Sequence, residues 1–236
     1  MIRAGLALLA ALALLGASGC ALPPRPTASA SGTAASGQAS GDASATPTGP
    51  VTCTFRVGGT PARPVDPPDT TGILASGTSR VTLDFGDAQV AIDLDREAAP
   101  CAVHSFQSLV AQGFYDNTAC HRLSTSTMFI LQCGDPTGTG TGGPGYTFDD
   151  ELDATTGYPA GVVAMARVAG ADTNGSQFFF VYADSDLPPD YTVFGRMTGE
   201  GVQAIADKAF LGHDSSWGDG TGRPHASATI RAVVSG

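Results

Sequence analysis

A chain of 236 residues leaves room for one or two domains, and its formal net charge is −10. That balance argues against nucleic acid as a partner, because basic patches supply most of the affinity there. It argues equally against the protein's own charge holding it down on an anionic leaflet. Lys208 is the only lysine, so the basic charge comes almost entirely from arginine.

Residues 1–19 carry one basic side chain, Arg3, and then an Ala/Leu run that ends in Gly16-Ala17-Ser18-Gly19. The run is short for a bilayer span and ends in small residues, which reads as a secretory signal peptide. Cys20 follows directly, and Ala17-Ser18-Gly19-Cys20 resembles a bacterial lipobox in which the cysteine becomes the lipidated first residue. Ala17 stands where that motif usually has Leu, so ordinary signal cleavage is the alternative. Residues 20–50 are nearly all Ala, Ser, Thr, Gly and Pro. They hold too little apolar surface to offset the entropy of ordering and are expected to form a disordered tether after the lipidated cysteine.

Residues 51–79 form an arm. Val51-Thr52-Cys53-Thr54-Phe55 reads as a short strand, after which Pro61, Pro64, Pro67 and Pro68 interrupt regular structure. The domain, residues 80–236, opens with two alternating segments, Arg80–Phe85 and Gln89–Leu94, about a Gly86-Asp87 turn, which predicts a hairpin. After Pro100 the period changes: Val103, Phe106, Leu109 and Val110 fall at helical spacing, and Gly113 ends the helix. Residues 120–135 form a second hairpin-like stretch, followed by a glycine-rich loop over 137–145. That loop lacks the Lys-Ser/Thr ending and following helix of a phosphate cradle. Strands are expected at 160–166, 177–181, 191–194 and 229–234, and a second helix at Val202, Ile205, Ala206 and Ala209. Many short strands and two helices describe a mainly β, antiparallel domain.

Five cysteines less a lipidated Cys20 leave Cys53, Cys101, Cys120 and Cys133. An even set in an exported chain predicts two disulfides, with three possible pairings. Cys120 and Cys133 flank the second hairpin, so their pairing is the natural one and leaves Cys53 for Cys101. A zinc site on Cys120, His121 and Cys133 is the rival reading, although it lacks closely spaced ligand pairs. No metal and no cofactor are expected.

In that hairpin Arg122 precedes a small polar turn, and the apolar run Met128–Leu131 is followed by Gln132. Rough alternation brings Arg122 and Gln132 together on adjacent antiparallel strands. A fixed cation, an aromatic ring and an amide on one surface suit gripping a peptide, and no activated nucleophile accompanies them. With His121-Arg122, Phe129, Gln132, Gly134-Asp135, Gly140-Thr141-Gly142-Gly143, Met165-Ala166, Asn174-Gly175-Ser176-Gln177-Phe178-Phe179 and Val193-Phe194-Gly195 in this order, the chain resembles the cyclophilin family of peptidyl-prolyl cis–trans isomerases over roughly residues 80–235.

The resemblance implies a closed eight-stranded antiparallel β-barrel capped by two α-helices. It implies a catalytic pair, Arg122 and Gln132, and a substrate surface of Phe129, Ile130, Gly140, Ala166, Arg167, Gln177, Phe179, Leu187 and Tyr191. Departures are Cys120 in place of an aromatic, two extra residues between Arg122 and Phe129, Cys133 in place of Gly, and Asp186 where many members carry Trp; Trp217 lies too far along the chain to replace it. The expected function is isomerisation of X-Pro bonds in unfolded exported proteins, by a monomer lipid-anchored to the outer face of the cell membrane. A catalytically weak module that binds proline-containing peptides is the alternative. A Ser or Cys hydrolase has no support, since no G-x-S-x-G occurs and His121 follows Cys120 directly.

Overall fold

The computed structural model describes residues 49–168 and 170–236. The signal peptide, Cys20 and almost all of the tether fall within residues 1–48 and lie outside the described residues.

In the arm a short strand, β1 (Phe55–Val57), follows Cys53. β2 (Thr78–Asp84) and β3 (Gln89–Asp95) make the first hairpin with Val81 opposite Ile92, and the alternation buries Val81, Leu83, Val90, Ile92 and Leu94 completely. α1 (Pro100–Ala111) starts on proline, whose missing N–H has no partner to lose in a first turn. It ends at Gly113, at φ 66°, where the Phe114 N–H closes onto the Leu109 carbonyl at 2.9 Å. β4 (Thr118–Ala119) leads into the second hairpin, β5 (Arg122–Ser126) and β6 (Met128–Cys133). Then follow β7 (Tyr146–Phe148), β8 (Val162–Arg167), β9 (Asn174–Val181) and β10 (Val193–Met197). α2 (Gly199–Phe210) is capped by Thr198, whose hydroxyl accepts the Gly201 N–H, and β11 (Thr229–Ile230) and β12 (Ala232–Ser235) end the chain.

The expected closed eight-stranded barrel needs correction. The strands form one ten-stranded antiparallel sheet in the order β1-β7-β9-β8-β10-β3-β2-β12, with β6 and then β5 joined to β9, plus a separate β4–β11 pair. The sheet curls toward the barrel that the resemblance implies but stays open, because β12 and β5 do not pair with each other. The free edge of β5 is taken by a loop residue instead: Leu123 exchanges backbone hydrogen bonds with Gly222 at 2.7 and 3.1 Å. Two helices do pack on the sheet as expected, α1 against β3, β9, β10 and β12, and α2 against β3 and β10.

Alternation along β9 separates two apolar clusters. Phe178 and Phe180 turn into the main core with Phe106, Tyr115 and Phe194, and the Phe106 ring lies 5.0 Å from Tyr115 and 5.3 Å from Phe178. Gln177, Phe179 and Val181 turn to the opposite face, where Phe179 and Val181 join Ile130, Tyr158, Val162 and Ala164 in a second, smaller cluster.

Both expected disulfides are formed, Cys53–Cys101 and Cys120–Cys133. The second consumes the two thiolates that the zinc alternative required. The first ties the arm to the start of α1, and the arm is held elsewhere too. Phe55 meets Tyr146 and Phe148 edge-on at 5.6 and 5.8 Å, and Arg63 Nη1 donates to the carbonyls of Gly113, Phe114 and Asp116 at 2.8 Å each.

The first turn of α1 has no side-chain cap of its own. Glu151 supplies one from a distant loop, its two carboxylate oxygens accepting the Cys101 and Ala102 N–H groups at 2.9 Å each. Burial pushes this carboxyl up to about 7, against the pull of those two N–H groups. Glu151→Ala should therefore destabilise the fold by about 1–3 kcal/mol in urea unfolding, since two part-buried donors lose their acceptor. A folded-state pKa above the unfolded one means that the folded state holds the proton more tightly, so this group contributes most in acid. The wild type's advantage over the variant should shrink as pH rises from the ordinary glutamate range through about 7.

Candidate active site

The second face of β9 gathers most of the residues expected to bind a peptide. Register sets one row across four strands: Arg122 on β5 lies opposite Gln132 on β6, Gln132 opposite Phe179 on β9, and Phe179 opposite Ala164 on β8. One step along, Ser124, Ile130 and Val181 form the next row. Ile130 and Phe179, 5 % and 3 % exposed, make an apolar floor. Ala166, Leu187, Tyr191 and Met128 are half-buried around it.

Arg122 stands at the polar end of this floor, with its side chain 26 % exposed. Its Nε donates to Thr221 Oγ1 at 2.9 Å, its Nη2 to Asp219 Oδ2 at 2.8 Å, and its Nη1 to Gln132 Oε1 at a longer 3.5 Å. Of the guanidinium's five N–H donors these partners take one each, which leaves two without a partner among the described residues. The amides continue the chain: Gln132 Nε2 donates to Gln177 Oε1 at 2.8 Å, and Gln177 Nε2 to the carbonyls of Gly140 and Gly142 at 2.9 Å each.

The glycine loop is shaped from beneath by Asp135, which is fully buried. Its carboxylate accepts the backbone N–H groups of Thr137, Thr139, Gly140 and Gly142 between 2.7 and 3.1 Å. Burial alone would raise its pKa; the bonds from Thr137, Gly142 and Gly140 outweigh that and hold it below the usual carboxylate value. Gly140 has φ 81°, and a Cβ there would sit 2.4 Å from the Trp217 ring, so only glycine fits. Between this loop, the arm residues Gly58–Thr60 and the Arg167–Gly175 side lies a cavity of about 370 Å³.

Several placements differ from the sequence reading. Phe129 is outside the second cluster, with its ring 6.0 Å from Tyr182 on the other side of β6. Arg167 lines the cavity with its guanidinium engaged by Asp190. Its Nε donates to the Asp190 carbonyl at 2.7 Å, and its guanidinium carbon lies 5.6 Å from the centre of the Tyr191 ring. Tyr191 in turn meets Phe179 edge-on at 5.4 Å and is pinned by Tyr158, whose hydroxyl accepts the Tyr191 N–H and donates to its carbonyl.

Four residues beside the site had no local signal in the sequence. Asp219 and Thr221 act on Arg122 from 97 and 99 residues away. Trp217 braces Gly140 and donates its indole N–H to the His121 carbonyl at 3.1 Å. Met128 was read only as part of an apolar run. His121 itself is buried, and that burial, with Asp135 opposing it, lowers its pKa.

Comparison with known proteins agrees with this geometry. The family model described as cyclophilin type peptidyl-prolyl cis-trans isomerase/CLD matches residues 80–233. The chain is 43 % identical over 186 residues to a probable peptidyl-prolyl cis-trans isomerase B of Mycobacterium leprae, covering 73 % of this chain and 62 % of that protein. It is 43 % identical over 167 residues to a probable peptidyl-prolyl cis-trans isomerase B of Mycobacterium tuberculosis, covering 65 % of this chain and 53 % of the relative. The chain thus spans between half and two thirds of the length of these curated relatives. Among solved structures, a Cryptosporidium parvum cyclophilin type peptidyl-prolyl cis-trans isomerase superposes with a TM-score of 0.57 at 30 % identity, covering 68 % of this chain and 98 % of the other. The same protein in the presence of the dipeptide Ala-Pro gives 0.54 at 31 % identity, covering 67 % and 98 %. Open sheet, capping helices, ordered motifs and matching relatives converge: the chain belongs to the cyclophilin-type peptidyl-prolyl cis-trans isomerase family.

Proposed function

We propose that this protein isomerises X-Pro peptide bonds in unfolded exported proteins. The observation that carries the proposal is Arg122, held beside the apolar floor of Ile130 and Phe179 with two N–H donors uncommitted among the described residues. Rotation about an amide crosses a barrier of ~18–20 kcal/mol because resonance is lost. No covalent bond breaks, so catalysis needs only tighter binding of the twisted amide than of either planar form.

The apolar floor and its rim take the proline ring, and Gln132 and Gln177 hold the polar side of the groove. In the twisted amide the proline nitrogen becomes pyramidal and accepts a hydrogen bond from Arg122, whose charge is permanent and whose donors are rigid. Gly140, Ala166 and the Arg167 backbone line the path of the flanking peptide. Lowering the barrier by ~6 kcal/mol would accelerate the step by roughly four orders of magnitude.

The setting is proposed from the sequence. Residues 1–19 export the chain, Cys20 takes the lipid, and the tether lets a monomeric domain reach clients from the outer face of the cell membrane. Two disulfides fit an oxidising compartment.

Arg122→Ala should lower kcat and kcat/KM together, because the lost bond belongs to the transition state. A charge-assisted hydrogen bond of ~1.5–3 kcal/mol predicts a loss of roughly ten- to 150-fold in a proline-isomerisation assay. Binding of a proline peptide should change far less. An Arg122→Ala variant that works at the wild-type rate would remove the catalytic assignment. A wild type that binds such peptides without turning them over would favour the binding module. Mass analysis of the mature amino terminus should find a lipidated Cys20; a free amine at any other residue would refute the anchor.

A further inference from the structure

We infer that Met128, not Phe129, forms the outer wall of the proline pocket and that the longer hairpin places it there. The inference rests on the proline-pocket reading of this face. The resemblance puts the aromatic wall at Phe129, but β5 and β6 remain paired beyond it: Ser124 lies opposite Ile130, Thr125 opposite Phe129 and Ser126 opposite Met128. Inside a ladder the alternation of faces is obligatory, so Phe129 turns away from Ile130 and Gln132. Its backbone is fixed on both sides, the N–H donating to Ser185 Oγ at 2.8 Å and the carbonyl accepting the Tyr182 N–H at 3.0 Å. Its ring then packs on Tyr182.

By the same alternation Met128 shares a face with Ile130 and Gln132, and it packs half-buried against the cluster that holds Ile130, Phe179 and Val181. A hairpin two residues shorter would lose one cross-strand pair. Phe129 would then sit at the tip, free to swing over the floor. Here the extra pair, closed by Thr127 at φ 66°, removes that freedom and passes the wall to the next side chain out. The wall so formed is an unbranched, polarisable thioether that adapts to what it touches, set beside a rigid floor of Ile130 and Phe179. The pocket of this chain is therefore compliant on one side, toward residues that flank the proline.

The test uses the full chain carrying [methyl-13C]methionine and a short Ala-Pro-containing peptide. Titration should move the methyl resonance that disappears in Met128→Leu and leave that of the buried Met197 in place. Met128→Ala should raise KM and the peptide Kd roughly three- to tenfold, as expected for removing a half-buried side chain from the contact, with kcat within about twofold. Phe129→Ala should lower Tm and leave KM within about twofold; Phe129→Leu serves if the alanine variant fails to fold. The inference is overturned if Phe129 variants raise KM while Met128→Ala does not, or if the Met128 methyl stays fixed while the peptide is turned over. A wild type that neither binds nor isomerises the peptide instead overturns the proline-pocket reading, and this inference falls with it.

Discussion

The site depends on a single constraint, the row of cross-strand partners Arg122, Gln132, Phe179 and Ala164. Neighbouring strands lie about 4.7–4.9 Å apart, so the Arg122 and Phe179 backbones lie about two spacings apart, the gap proposed above for a proline and its amide. A slip of one residue in β6 would send Gln132 and Ile130 to the core side and bring Leu131 out. Such a slip would bury an amide without partners and expose a leucine that is now 1 % exposed. The Cys120–Cys133 disulfide and the Gly134 backbone, packed under Ser176, fix the same register covalently and sterically.

Much of this was legible from the chain. Alternation in β2 and β3, the helical spacing after Pro100, Gly113 as a stop and the pairing of Arg122 with Gln132 are local properties, and local physics decides them. The arm's docking followed from Cys53 and is realised through Phe55 and Arg63 as well. Barrel closure was not legible, because it depends on whether two distant edges meet. Here a loop residue, Gly222, satisfies the β5 edge that a strand would otherwise take.

The placement of Phe129 outside the second cluster has a sharper cause. Matching motifs aligns residue types, and Phe129 matches its motif, but a side chain's face is set by its position in the ladder and not by its identity. Two added residues left the motif readable and changed what surrounds it. Asp219, Thr221 and Trp217 were invisible for a different reason: contacts across about a hundred residues leave no spacing to read. Arg167 illustrates a related limit, since only the fold shows that Asp190 and Tyr191 engage its guanidinium.

The Asp219 contact raises the question of why the cation proposed for catalysis should sit beside a carboxylate at all. The pair is half open to water, with side chains 26 % and 49 % exposed, and pairs of this kind contribute about 0–1 kcal/mol to stability. Water screening also keeps Asp219 from cancelling the field that Arg122 projects toward the apolar floor. What the contact does supply is direction. Thr221 on Nε and Asp219 on Nη2 fix the plane of the guanidinium, and Asp219 is itself held by the Thr221 N–H at 3.0 Å. An arginine side chain carries ~2 kcal/mol of rotamer entropy, and a plane fixed before the substrate arrives has already lost it. The ordering cost thus falls on folding and not on the transition state, where catalysis would feel it.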